Sequence, residues 1–342
     1  MVANHSRIPQ AYAVDDSQIH GDEATGGLNE EEVKRRHILP KALAVGIFSG
    51  LIASAFRFSL NHAEHFREST LEHLPSWLAL GVSIGGGALA GGIGLWLVRR
   101  FAPEAAGSGI PHLKSVLHGE TEMRWKRLIP IKFLAGVLSI GGGLALGREG
   151  PTVQMGGAAG LMTAGWFRIK TGFGERKALI SAGAGAGLAA AFNAPLAGVI
   201  FVLEELQGNF TPVVFVAAFL ASVSADVVSR LLMGELPVFH LRELPVMELR
   251  ELPFAIVLGG LAGLAGILFN RNLIGSLNFA DRFNGSKWLP GAVAGAIAGL
   301  AGWSMPGLAG GGGAAAVRWR TRRSAGNSRS ACYRCCYFRD TR

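Results

Sequence analysis

Apolar residues in this chain come in long blocks, not in the strict alternation of a half-buried strand. Eight blocks stand out: Lys41–His62, Trp77–Val98, Ile131–Leu146, Thr152–Phe167, Ala178–Glu204, Thr211–Met233, Phe254–Leu273 and Trp288–Gly310. Each is long enough for a helix. Several fall short of the roughly 20 residues a full bilayer crossing needs, or are broken by Gly and Pro. Short, interrupted apolar helices are the pattern of a transporter whose helices stop inside the membrane. The pattern therefore predicts an all-α polytopic membrane protein with broken helices.

Composition supports this. Apolar residues make up 49% of the 342, and 49 glycines suit close helix contacts through small-xxx-small spacings. The mean hydropathy is +0.33. A soluble α/β enzyme could be as rich in glycine but would not show eight separate apolar blocks. Residues 1–40 are polar and of mixed charge, with no secretory signal peptide, and residues 1–30 read as a mobile tail. Lys34, Arg35, Arg36 and Lys41 flank the first block, so the positive-inside rule predicts a cytoplasmic N-terminus.

The net charge of +9 does not point to nucleic acid. From Val317 onward there are eight Arg, no Lys and one acidic residue, so this stretch carries +7 and the rest of the chain +2. Cys332, Cys335 and Cys336 lie there too, with Tyr333 and Tyr337. Two readings stay open: a basic tail on a membrane surface, or the product of a shifted reading frame. Cys-x-x-Cys-Cys has no second pair and no nearby His, so no metal is expected.

Three motifs carry chemistry. Gly147-Arg148-Glu149-Gly150-Pro151 places an ionisable pair between two apolar blocks, the first bearing only Lys132 and the second no charge. Such a pair is costly in a bilayer and marks a functional site. Pro151 suits the first turn of a new helix, whose free N–H groups and positive dipole end attract anions. Glu149 would be the protein's own anion at that place. Gly107-Ser108-Gly109-Ile110-Pro111 repeats the logic, with Ser108 offering a hydroxyl; its bland alternative is a Gly-Pro loop at the membrane boundary. In Phe192-Asn193-Ala194-Pro195, proline should split the fifth block into two helices, the second closed by Glu204 and Glu205. That pair is either an interfacial acidic cap or a proton relay.

Other features carry less. Gly185 to Ala190 has the form G-x-G-x-x-A but no preceding strand, so packing is expected, as for Gly141-Gly142-Gly143. Arg57 and Lys132 would snorkel or pair with a carboxylate. Leu-Pro at 236–237, 244–245 and 252–253 reads as a surface connector. An intramembrane hydrolase using Ser108 and His112 has little support.

The segments GSGIP (107–111), GREGP with TVQMGG (147–157) and AGLAAAFNAPLAGVIFVLEE (186–205) resemble the CLC family of chloride channels and chloride/proton exchangers. The resemblance covers about residues 40–313. It implies a CLC-type inverted-repeat helical fold, with the first repeat and the start of the second. The implied organisation is a cytoplasmic polar tail (1–40), a first membrane repeat carrying the anion-site motifs (41–233), a connector (234–253), the start of a second repeat (254–313) and the Arg/Cys-rich tail (314–342). Ser108 would line the central anion site and Glu149 would be the gating glutamate that competes with chloride and carries protons. Glu205 would match the internal proton-transfer glutamate of the exchangers. Serine after Gly107 is the chloride-preferring rather than nitrate-preferring pattern. No cofactor and no enzymatic activity are implied. The implied partners are chloride, protons, the lipid bilayer and, in a homodimer, a second copy of the chain.

The chain departs from the family in the second half, where the Gly-x-Phe-x-Pro motif and late tyrosine of the anion site are absent. A chloride/proton exchanger is the leading expectation. A passive chloride channel and a non-transporting truncated fragment are the alternatives.

Overall fold

A computed structural model describes residues 16–169, 173–234, 252–281, 286–305 and 309–310, with side chains described from Ile38 onward. The described residues are helical and contain no strand. In chain order the helices are α1 (Asp16–Glu72), α2 (Ser76–Phe101), a 3-10 turn (Pro103–Ala105), α3 (Ile110–His118), α4 (Trp125–Gly141) and α5 (Glu149–Trp166). Then follow α6 (Phe173–Phe192), α7 (Pro195–Phe201), a π-helical turn (Val202–Gln207), α8 (Pro212–Met233), α9 (Leu252–Asp281) and α10 (Leu289–Ser304).

Each of the eight apolar blocks contributes a helix, with the fifth split at Asn193-Ala194-Pro195; residues 142–146 of the third block and Met305, Ala309 and Gly310 of the last lie outside helix. Four helical stretches are long and apolar enough to cross a membrane: Ile38–Glu72, Ser76–Phe101, Pro212–Met233 and Leu252–Ala280. α4 has 17 residues and α5 has 18. At 1.5 Å per residue each falls short of a hydrocarbon core about 30 Å thick. These short helices begin or end at the motifs singled out above.

Two expectations need correction. Residues 16–40 are the opening of α1, which runs unbroken through Pro40, whereas their polarity suggested tail. The charged stretch before Lys41 is rich in Glu, Lys and Arg, which are good helix formers, and continues the apolar helix. The acidic pair does not end its helix either. α7 passes into the π-helical turn, which stops at Gly208 in the left-handed conformation (φ 66°), its N–H bonded to the Leu203 carbonyl. Most of the connector (235–251) and the tail from 311 on lie outside the described residues.

Glycine decides which helices touch. α5 is buried along almost its whole length and packs against α6, α1, α4 and α3. A Cβ on Gly156 would overlap the Gly183 carbonyl, and one on Gly183 would overlap Gly156 in return. α2 and α10 meet in the same way, Gly87 against Gly295 and Gly91 against Gly291, with Ser83 Oγ donating to the Gly299 carbonyl at 2.8 Å. Four-residue glycine spacing on both helices brings the backbones together. Gly185 and Gly187 lie within α6 and face Gly198 and Thr152, so the dinucleotide-like string is a packing surface. α9 buries none of its apolar window.

Candidate anion site

The two glycine-proline motifs meet. Gly150, in the first turn of α5, packs so closely on Ser108 that an added Cβ would overlap the Ser108 carbonyl oxygen and lie 2.9 Å from its Cα. α3 and α5 therefore begin side by side. Neither start is capped by a side chain. The first intrahelical amide bonds are Leu113 N–H to the Gly109 carbonyl and Thr152 N–H to the Arg148 carbonyl. The earlier N–H groups are left without helical acceptors, which favours an anion. Gly107, Ser108 and Glu149 are exposed, Arg148 is half-buried, and Gly150 is buried. Gly107 (φ 66°) and Gly109 (φ 87°) are left-handed, a conformation open to glycine at little cost.

The loop carrying Ser108 is held from below. Lys132 on α4 is 4% exposed, and its Nζ donates to the carbonyls of Ala105 (2.8 Å) and Gly107 (2.7 Å). It neither snorkels nor pairs with a carboxylate, because buried backbone carbonyls need a donor there. Gln154 on α5 donates to the Glu104 carbonyl at 2.8 Å and approaches His112 Nδ1 at 3.3 Å. Those residues were not picked out as support from sequence; Gln154 as a lone amide in a run of small apolar residues was the available signal. His112 faces Gln154 and the Glu122 backbone. No His112 contact to Ser108 is seen, which leaves the hydrolase reading without a base.

Arg148 stacks its guanidinium 5.6 Å from the centre of the Phe192 ring, tying the second motif to the third. The helix break is built around Asn193, which is left-handed (φ 53°). Its Oδ1 accepts from Arg57 Nη1 (3.3 Å) and Ser229 Oγ (3.2 Å), and its carbonyl accepts from Arg230 Nη2 (3.4 Å). Arg57 thus reaches the side-chain amide of the helix break. Glu205 lies exposed on the π-helical turn and pairs with Lys114 Nζ on α3 at 2.7 Å. One helix therefore carries Ser108 just before its start and the partner of Glu205 at its middle. Among the described residues no cluster could hold a metal ion.

A family model described as voltage gated chloride channel matches residues 86–324. The chain belongs to this family, the CLC proteins. It is 39% identical over 286 residues to the H(+)/Cl(-) exchange transporter ClcA of Vibrio cholerae, covering 80% of this chain and 60% of that protein. It is 37% identical over 283 residues to the ClcA of Citrobacter koseri, with the same coverage. The chain thus spans about 60% of the length of these curated relatives. Its fold is similar to that of a slow cyanobacterial Cl-/H+ antiporter, with TM-score 0.75 and 35% identity, covering 86% of this chain and 68% of that one. A CLC-type fluoride/proton antiporter shares the fold at TM-score 0.66 and 24% identity, with coverage of 87% and 71%. The protein is an integral, multi-pass CLC membrane protein.

Proposed function

We propose that this protein binds chloride between the starts of α3 and α5 and exchanges it against protons. The contact of Gly150 with Ser108 is the observation that supports this most: it joins two uncapped, positively polarised helix starts, an exposed hydroxyl and an exposed carboxylate. Gly107, Ser108, Gly109, Ile110 and Pro111 would form one side of the site, and Gly147, Arg148, Glu149, Gly150 and Pro151 the other. Both relatives' names and the cyanobacterial antiporter fit the reading.

In this scheme ionised Glu149 occupies the anion's place and excludes chloride. Protonation removes its charge and its attraction to the helix ends, and the side chain gives way to the ion. Glu205 serves as the second proton station, held by Lys114 to the helix that follows Ser108. Passing a proton at Glu149 for each displacement by an anion couples the two flows in opposite directions. The scheme places the protein in the cell membrane as a homodimer, with its N-terminus in the cytoplasm.

The test is flux in proteoliposomes loaded with a chloride gradient. Uphill proton movement driven by chloride, lost in both Glu149→Ala and Glu205→Gln, is expected. Chloride movement without opposed proton movement would make the protein a passive channel. Chloride leakage no greater than in empty vesicles would overturn transport altogether.

A further inference from the structure

The polar arrangement beneath the candidate site has an unsatisfied end. The Gln154 side chain is fully buried. Its Nε2 serves the Glu104 carbonyl and His112 Nδ1, while its Oε1 lies against Gly109 with no hydrogen-bond partner. A buried acceptor left in this way costs about 1–3 kcal/mol. It lies one residue from Ser108.

The orientation of this amide depends on the charge of His112. Nε2 of Gln154 can donate to Nδ1 only while that nitrogen keeps a lone pair, which requires a neutral ring. Protonation places an N–H on Nδ1, so that two donors face each other. Turning the amide by half a rotation removes that conflict: Oε1 then accepts from the imidazolium and Nε2 points at Gly109. The rotation gives up the bond to Glu104 and sets Oε1 against its carbonyl oxygen, so that contact must open. In exchange it directs an N–H pair towards the loop of Ser108 and leaves a positive charge in the first turn of α3. Both changes favour an anion at the loop.

We propose that His112 and Gln154 form a second proton-responsive control of the anion site, separate from Glu149, which tightens chloride binding when His112 is protonated. This rests on the reading that chloride binds at Ser108. The charged groups acting on the ring are Glu104 from the 3-10 turn and Lys132 from α4; α5 presents the neutral Gln154, and Glu122 contributes its backbone. Burial, more than any of these, holds the imidazole below its ordinary value, with Glu104 and the Glu122 backbone opposing and Lys132 adding to the effect. Switching therefore falls on the acid side of neutrality. By linkage, chloride must raise the proton affinity of His112 by the factor by which protonation raises that for chloride.

The test uses the full chain in lipid nanodiscs, in the Glu149→Gln background so that the gate's own titration is absent. Chloride binding is measured by calorimetry at about pH 7.5 and about pH 5, either side of an ordinary imidazole. A roughly tenfold gain in affinity on acidification is expected, the scale of one added charge nearby at intermediate dielectric. Adding His112→Gln should flatten that response while leaving binding at the higher pH in place. In the histidine-bearing protein, the Gln154 side-chain amide resonances should shift with the midpoint of the His112 ring. A pH response that survives His112→Gln would overturn the proposal alone. Absence of chloride binding at both pH values in every variant would overturn it together with the reading on which it rests.

Discussion

Gly150→Ala separates the two motifs with a single methyl group. The new Cβ would lie 2.9 Å from Ser108 Cα and 3.0 Å from its carbonyl carbon, and closer still to the oxygen. Carbon atoms in contact prefer about 3.5–4.0 Å, so the loop and α5 must part by about 0.5–1 Å. Overpacking of this kind costs about 1–3 kcal/mol. Replacing a helical glycine by alanine returns about 1 kcal/mol, so the net loss of stability should be at most about 2 kcal/mol. The effect on the site is larger in relative terms. An anion bridging the two helix starts would lose one charge-assisted hydrogen bond, worth about 1.5–3 kcal/mol, or roughly ten- to a hundredfold in affinity. Calorimetric chloride titration in detergent, with thermal unfolding in parallel, reads both quantities. Gly165→Ala is the control, because its Cβ would meet nothing within 4 Å. Wild-type chloride affinity in a folded Gly150→Ala protein would refute the reasoning.

The supporting residues give further tests. Lys132→Met removes the donor to the Ala105 and Gly107 carbonyls; two charge-assisted bonds of about 1.5–3 kcal/mol each, offset by relief of a desolvated ammonium, leave a net loss of about 1–3 kcal/mol. Hydrogen exchange at Gly107 to Ile110 should quicken, and Lys132→Arg should restore part of the protection. Asn193→Ala places a Cβ residue other than asparagine in the left-handed conformation and removes the acceptor shared by Arg57 and Ser229. A loss of about 2–4 kcal/mol is expected in chemical unfolding, and less for Asn193→Gly, which keeps the backbone unstrained. Gly295→Val drives a side chain into the Gly87 backbone and should lower the Tm, whereas Gly275→Ala on α9 meets nothing and should not.

Much of this molecule is written in its apolar blocks. The blocks supply helices because, in a bilayer, a helix satisfies its backbone hydrogen bonds within a single segment. The break at Asn193-Ala194-Pro195 was legible because proline disfavours helix at the residue before it. The meeting of residues 107–111 with 147–151 was not. Gly150 announces a close approach, but only tertiary packing says that Ser108 is what approaches it. The same holds for Lys132, whose charge in an apolar block suggested snorkelling or a carboxylate partner, yet which binds two carbonyls of a loop distant in sequence. The π-helical turn around Glu205 left no periodic trace, since one turn is too short to show a period. Residues 16–40 misled in the other direction, because charge conceals helix where helix formers are abundant.

The central claim is that one anion sits between Ser108 and the start of α5, in the place that ionised Glu149 would take. Bromide carries chloride's charge and scatters anomalously, so the most direct measurement is anomalous diffraction from Glu149→Gln crystals grown in bromide. The account predicts a peak within about 3.5 Å of Ser108 Oγ and of the first N–H groups of α5, the range of a hydrogen-bonded halide. A well-ordered structure with no peak there, or with bromide bound only elsewhere, would contradict it.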